Sequence, residues 1–499
     1  MMRRVLIANR GEIAVRVIRA CREMGIETVA VYSEADADAP HVLAADDAVL
    51  IGPAPASQSY LNVPALLDAA RRTGADAVHP GYGFLSENAA FARACEDQTL
   101  TFIGPPSHVI ERMGSKTAAR AAVAEAGVPV VPGETPTSQD SSAVLDALTR
   151  VGFPALLKAS AGGGGKGMRI VRSLQEAAEA TDAARREAER AFADGTLYVE
   201  RLIEMPRHIE IQVMADSHGS TVHLFERDCT LQRRHQKVVE ESPGPTVTSA
   251  IRERMTQAAI AAARAVGYVN AGTIEFLLSG DDFYFLEMNT RLQVEHPVTE
   301  AVTGLDLVRT QLLVAAGERL PFRQDDITLR GHAVECRVYA EDPATQFLPQ
   351  AGPLLRYREP QGPGVRVDAG VREGQHISVH YDPMIAKVIT SGETRQAAWA
   401  RAAMALRNFE ILGLRHNIPF LLALLRHPEV VAGRTHTRFI EDHLEEFTPS
   451  ESDADLSAQV ALAALLAART SAAAPGTPTA SGVSHSGIDP WATLGKVAW

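Results

Sequence analysis

Arg3-Arg4-Val5-Leu6-Ile7-Ala8, then the run from Gly11 to Cys21, then Thr28-Val29-Ala30-Val31-Tyr32 read as strand, helix, strand. The outer runs are short and apolar, as strands covered on both faces are. Between them Ile13, Val17, Ile18 and Cys21 recur at helical spacing. The alternation continues with a helix at 66–70 and a strand opening at 77–78, which predicts an α/β chain with a parallel, doubly wound sheet. Only Gly11 stands where a dinucleotide fingerprint needs G-x-G-x-x-G, so NAD binding is not expected.

Working outward, Gly114-Ser115-Lys116 opens a helix to about Glu125, stopped by Gly127 and Pro129. Strands at Pro154–Lys158 and Met168–Val171 flank a glycine run, residues 175–193 are rich in helix formers, and a third α/β segment spans 331–446. From Thr448 the composition turns to Ala, Ser, Thr, Gly and Pro. An apolar stretch at 458–468 suits a helix and 471–488 reads as linker. With 499 residues, 46% hydrophobic and 22% charged, the chain is globular and multidomain. Its net charge of −12 gives no general reason to bind nucleic acid. No apolar run approaches the ~18–20 residues that span a bilayer. The N-terminus meets charge and glycine before a signal-peptide core forms, and four cysteines without a CxxC disfavour a disulfide scaffold or zinc knuckle. A soluble, cytoplasmic protein is expected, with neither nucleic acid nor membrane as partner.

The strongest chemical signal is a pair of carboxylates. Thr273-Ile274-Glu275-Phe276-Leu277-Leu278 and Phe283-Tyr284-Phe285-Leu286-Glu287-Met288-Asn289 are strand-like runs joined by Ser279-Gly280-Asp281-Asp282, a turn signal. A hairpin centred near residue 281 sets Glu275 against Glu287. Opposed carboxylates repel, and a bridging divalent cation removes that objection; Mg²⁺ favours such oxygen donors. One glutamate pointing to solvent is the alternative. Continued as a strand, Glu287, Asn289, Arg291, Gln293 and Glu295 share one face, a strip suited to metal, phosphate and a small anion. Lys158 precedes Gly162-Gly163-Gly164-Gly165-Lys166-Gly167, a glycine loop able to line phosphate but without the P-loop pattern. The run Glu226 to Glu240 interleaves Gln232, His235 and Lys237 with arginines, which makes an anion pocket plausible, and Cys229 reads as structural. Taken alone, His208 and Arg337 read as satisfied structural groups.

Residues 162–169 (Gly-Gly-Gly-Gly-Lys-Gly-Met-Arg), 226–237 and 287–300 closely resemble biotin carboxylase, as do 8–14 (Ala-Asn-Arg-Gly-Glu-Ile-Ala) and 79–88 (His-Pro-Gly-Tyr-Gly-Phe-Leu-Ser-Glu-Asn) of its N-terminal domain. The resemblance covers roughly 3–446. It implies an ATP-grasp fold with a Rossmann-like N-terminal domain at 1–113, an ATP-grasp domain at 114–330 with a lid at about 131–203, a C-terminal α+β domain at 331–446 and a tail at 447–499. It implies ATP-dependent carboxylation of carrier-borne biotin with bicarbonate, through carboxyphosphate. Lys116 and Lys158 would hold phosphates, Gly164 and Gly165 would lie in the flap, and Glu200, Arg201, Leu202 and Ile203 would clasp adenine. His208, Gln232 and His235 would sit about the nucleotide, and Glu275, Glu287 and Asn289 would bind two Mg²⁺ (or Mn²⁺). Lys237, Arg291, Gln293 and the Val294 backbone would hold bicarbonate, Glu295 would be the general base, and Arg337 would meet the biotin ureido oxygen. The family often has Arg where this chain has Lys166. No Met precedes a Lys, so biotin is expected on a separate carrier protein or domain. The tail and Asp382-Pro383-Met384-Ile385-Ala386-Lys387 lean towards the α-subunits of methylcrotonyl- or propionyl-CoA carboxylases. A carboxyltransferase subunit and a homodimer are the expected partners. The competing readings are another ATP-grasp ligase, such as one forming carbamoyl phosphate, and a non-enzymatic nucleotide-binding scaffold.

Overall fold

The computed structural model describes residues 2–159, 168–192 and 194–447. Gly164, Gly165, Lys166 and the expectations for 448–499 lie outside the described residues.

The N-terminal reading holds. Strands β1 (Arg4–Ile7), β2 (Glu27–Ser33), β3 (Asp47–Gly52), β4 (Ala77–His79) and β5 (Thr101–Phe102) form a sheet in the order β3-β2-β1-β4-β5, parallel throughout. The first helix, Gly11–Glu23, buries Ile13, Val17, Ile18 and Cys21, the residues whose spacing predicts it. A Cβ at Gly370 would collide with the backbone of Gly11 and Glu12, so a C-terminal segment lies tight against the start of this helix.

A second, antiparallel sheet joins β6 (Gly133–Glu134), β7 (Ala155–Ala159), β8 (Arg169–Val171) and β9 (Leu197–Arg201) in the order β6-β9-β7-β8. It carries its own small core, in which Val144, Leu148, Leu157, Val171 and Val199 are fully buried.

The third sheet positions the chemistry. Strands β10 (Arg207–Ala215), β11 (Thr221–Arg233), β12 (Gln236–Ser242), β13 (Asn270–Ser279), β14 (Asp282–Asn289) and β15 (His332–Tyr339) are joined by the strands Val365–Ala369 and Met384–Gly392. The sheet has eight strands, with β14 at one edge and Val365–Ala369 at the other, and β12 pairs directly with β15. It therefore runs unbroken across residue 331. On β10, Ile209, Ile211 and Val213 pack with Ile251, Met255 and Ala259 of the helix Ser249–Ala265, whose start is capped by the Thr248 hydroxyl. Each of these Ile, Val and Met side chains contributes about 1.5–3 kcal/mol through burial. Alternation sends His208, Glu210 and Gln212 to the opposite face, where they too are buried and must find partners. Among the described residues no helix is long and apolar enough to cross a membrane.

Candidate active site

The β13–β14 hairpin turns through Gly280 and Asp281, with Ser279 facing Asp282 and Gly280 at φ +59°. Regular pairing from that turn would set Leu286 against Glu275. A bulge after Phe285 inserts one residue, so Glu287 faces Glu275 instead and Asn289 faces Thr273. The expected opposition is present on a hairpin that turns near residue 281, and the bulge supplies the one-residue offset it needs. The bulge also turns both Leu286 and Glu287 towards the cleft, between buried Phe285 and Met288.

Glu210 on β10 faces Glu275 in turn, so Glu210, Glu275 and Glu287 stand abreast on three neighbouring strands. Like charges directly opposite are destabilising, and cations from other strands offset them. Lys237 Nζ on β12 donates to Glu210 at 2.6 Å, Glu275 at 2.9 Å and Glu295 at 2.6 Å. Arg227, fully buried, pairs with Glu210 and donates to Gln212, Thr299 and Thr273. Burial works against the charge on Glu275, but Lys237 and His208 outweigh it and hold its carboxyl well below the usual range. His208 Nε2 stands 3.0 Å from a Glu275 oxygen as a close electrostatic contact, without hydrogen-bond alignment.

Glu287 differs. Among the described residues its carboxylate has no hydrogen bond or ion pair, and burial together with the Glu275 charge pushes its carboxyl up. Its side chain is exposed to the cleft that it lines. The Glu275, Glu287 and Asn289 oxygens form a hard donor set with one carboxylate uncompensated, which fits Mg²⁺ or Mn²⁺.

The chain leaves the sheet after Asn289, so the expected strand through Glu295 is corrected. The Thr290 N–H is taken by Glu87 at 3.0 Å, and residues 290–295 form a loop that ends at the helix His296–Thr303. Its side chains still converge. Arg291 donates to Gln293 at 2.7 Å, Asn289 at 3.1 Å and Glu87 at 2.8 Å; Asn289 and Gln293 both donate to Glu275, at 2.8 and 3.1 Å. Arg337 on β15 donates to Glu295 at 3.0 Å and to Glu240 at 2.6 Å. Burial disfavours the Glu295 charge, but Lys237 and Arg337 hold its carboxyl well below the usual range. Burial pushes the Glu240 carboxyl up to about 7 against the pull of Arg337. The Cys229 thiol, fully buried and pushed well up by that burial, donates to Glu295 at 3.8 Å, so it is neutral as expected of a structural cysteine.

Across the cleft, Lys116 begins the helix Lys116–Glu125, and burial pulls its ammonium down. Lys158 on β7 pairs with Glu200 on β9. Gln232 faces Lys237 across the β11–β12 hairpin, and His235 sits in its turn, where Arg234 and His235 take φ of +49° and +66°. Such left-handed backbone costs about 1 kcal/mol or more per residue, and the turn lies at the cleft wall.

All the expected site residues within the described chain line one cavity of about 1310 Å³. His208 and Arg337, which alone read as structural groups, line it too. Missed by the sequence reading are its apolar lining, Leu156, Ile170, Leu277 and Leu286, and the partners Glu87, Glu210 and Glu240. Period two from Glu275 already points to Leu277. The partners carry no local signal.

Residues 1–110 match the family described as biotin carboxylase, N-terminal domain; 115–323 match the carbamoyl-phosphate synthase L chain, ATP binding domain; and 335–442 match the biotin carboxylase C-terminal domain. A biotin carboxylase of Halalkalibacterium halodurans is 53% identical over 446 residues, 89% of this chain and 98% of that protein. The mouse mitochondrial methylcrotonoyl-CoA carboxylase subunit alpha is 51% identical over 90% of this chain, which spans 63% of that longer protein. The biotin carboxylase domain dimer of Hydrogenobacter thermophilus 2-oxoglutarate carboxylase, solved with MgADP, ADP and bicarbonate, superposes with a TM-score of 0.86 at 45% identity, over 90% of this chain and 99% of that one. The match to both flanking domains does not favour a carbamoyl-phosphate-forming enzyme, and this chain belongs to the biotin carboxylase family of ATP- and bicarbonate-dependent ligases.

Proposed function

We propose that the cleft residues divide among them the ATP-dependent carboxylation of biotin, the first half-reaction of an acyl-CoA carboxylase. Lys116 and Lys158 hold the nucleotide phosphates. Glu200, Arg201, Leu202 and Ile203, with Leu277 and Leu286, enclose the base, and His208, Gln232 and His235 border the nucleotide. Glu275, Glu287 and Asn289 hold Mg²⁺ (or Mn²⁺), which when bound offsets charge on the transferring phosphoryl group. Lys237, Arg291, Gln293 and the Val294 N–H hold bicarbonate, and Glu295 accepts its proton. So ionised a carboxylate is a weak base while Lys237 and Arg337 both donate to it. It strengthens as those donors turn to bicarbonate and biotin. A bicarbonate oxygen attacks the γ-phosphorus, ADP leaves, and the carboxyphosphate breaks to CO₂ and phosphate. Phosphate removes the biotin N1 proton, Arg337 stabilises negative charge on the ureido oxygen, and N1 attacks CO₂.

The observation that carries this reading is the sharing of Glu295: Lys237 on one oxygen, Arg337 on the other, beside the opposed Glu275 and Glu287. The division into 1–113, 114–330 and 331–446 goes with it. So do a biotin carrier, a carboxyltransferase subunit that takes the carboxyl group onward, and a homodimer. The length of the methylcrotonoyl-CoA relatives supports further carboxylase parts, and the Hydrogenobacter dimer supports pairing. A cytoplasmic setting is supported by four buried, free cysteines. The test is ATP cleavage with and without bicarbonate and free biotin. Turnover should require bicarbonate and rise with biotin, and Arg337→Gln should reduce the biotin-stimulated part by about 10²-fold, more than the rest. Equal turnover without bicarbonate sinks the proposal.

A further inference from the structure

Lys387 is fully buried on the strand Met384–Gly392, directly opposite Arg337 on β15. Arg337 reaches the Glu295 carboxylate, and Lys387 Nζ donates to the carbonyl of the preceding residue, Val294, at 2.7 Å. Two neighbouring cations of one sheet thus grip two consecutive residues of the loop. Lys387 is aimed from behind by Glu12, 3.1 Å away on the first helix, which also accepts the Tyr82 hydroxyl. On the strand's other side Asp368 stands 4.0 Å from it, but that carboxylate is engaged by Arg366. The adjacent Gln293 carbonyl is held by His296 Nδ1 at 2.8 Å. Both loop carbonyls are therefore fixed from within the protein, among the described residues no acceptor takes the Val294 N–H, and Val294 lines the cleft.

We propose that Lys387 is a positioning residue: by holding the Val294 carbonyl it orients the Val294 N–H and the Glu295 carboxylate towards bicarbonate. This rests on the bicarbonate site proposed above. A buried ammonium is costly unless paired and hydrogen-bonded, and a neutral donor would hold the carbonyl less firmly. Lys387 touches no nucleotide-facing group, so its loss should separate the two substrates kinetically.

The experiment measures KM for bicarbonate and for ATP with the full chain and free biotin. Lys387→Met should raise the bicarbonate KM by about tenfold or more with the ATP KM within about twofold, and Lys387→Arg should recover part of the difference. Equal shifts in both constants, or none, overturn the proposal. Should Lys387→Met lose its cooperative unfolding transition, Glu12→Gln replaces it. That variant should raise the bicarbonate KM selectively by about threefold, and an unchanged value overturns the proposal. Bicarbonate-independent turnover by the unaltered chain would instead overturn the reading of the site itself.

Discussion

Glu275 and Glu287 face each other on adjacent strands because Leu286 is inserted as a bulge between them and the turn. The same insertion puts an apolar side chain beside an acidic one on the cleft wall. On the proposed assignment, the nucleotide's base and phosphates thus meet within two residues. The carboxylates are unequal: one is held ionised by Lys237 and His208, and the other is left without a partner among the described residues.

Glu287→Gln should therefore relieve repulsion and abolish metal use together. Without added metal the thermal midpoint should stay level or rise, whereas Mg²⁺ with nucleotide should stabilise the variant less than the parent. Activity should fall by about 10²-fold or more. A metal-free loss of several degrees would show that Glu287 is structural.

Lys237→Met removes the one cation shared by Glu210, Glu275 and Glu295, leaving Arg227, Arg337 and His208 to offset three carboxylates in one pocket. Stripping one partner from such a cluster costs about 3 kcal/mol or more. Urea unfolding should show a lower midpoint at unchanged slope. A midpoint equal to the parent's would mean that the carboxylates find protons or other donors.

Glu335 lies directly opposite Glu240, is fully buried, and has no hydrogen-bond partner on either oxygen among the described residues. Burial pushes its carboxyl well above the usual range. The unfolded chain then releases a proton that the folded chain keeps, so this residue lowers stability as pH rises above the ordinary carboxylate value. Glu335→Gln should be more stable than the parent at pH 8, with the gap closing towards pH 4.5, as read by urea midpoints across that range. A variant less stable at every pH contradicts this.

His41 and His79 are fully buried, and burial pulls each down to about 4. Below about 6.5 the unfolded chain takes up protons that the folded one refuses, so their contribution is complete above 6.5 and is lost as pH falls to about 4. Unfolding followed from pH 7 to pH 4.5 should show this acid loss, reduced in His41→Gln relative to its own value at pH 7. An identical pH slope in parent and variant refutes the assignment.

What the sequence reveals follows from how local the signal is. The opening strand–helix–strand is written in periods of two and 3.6, and the matched carboxylates in a short hairpin. The bulge is not legible, because the run Phe285-Leu286-Glu287 obeys neither alternation nor a turn pattern. The strand end at Asn289 is set by Glu87, far away in the chain, which takes the Thr290 N–H. His208 and Arg337 look ordinary for the same reason: Glu275 and Glu295, which give them meaning, arrive through the fold. Lys387 is legible only once its strand lies beside β15.

On the proposed reading, the Lys237–Glu295–Arg337 arrangement activates bicarbonate, rather than water, against the nucleotide's terminal phosphorus. Turnover with ¹⁸O-labelled bicarbonate in unlabelled water, followed by mass analysis of the released phosphate, tests it directly. One labelled oxygen should be transferred to each phosphate. Phosphate free of label would contradict it.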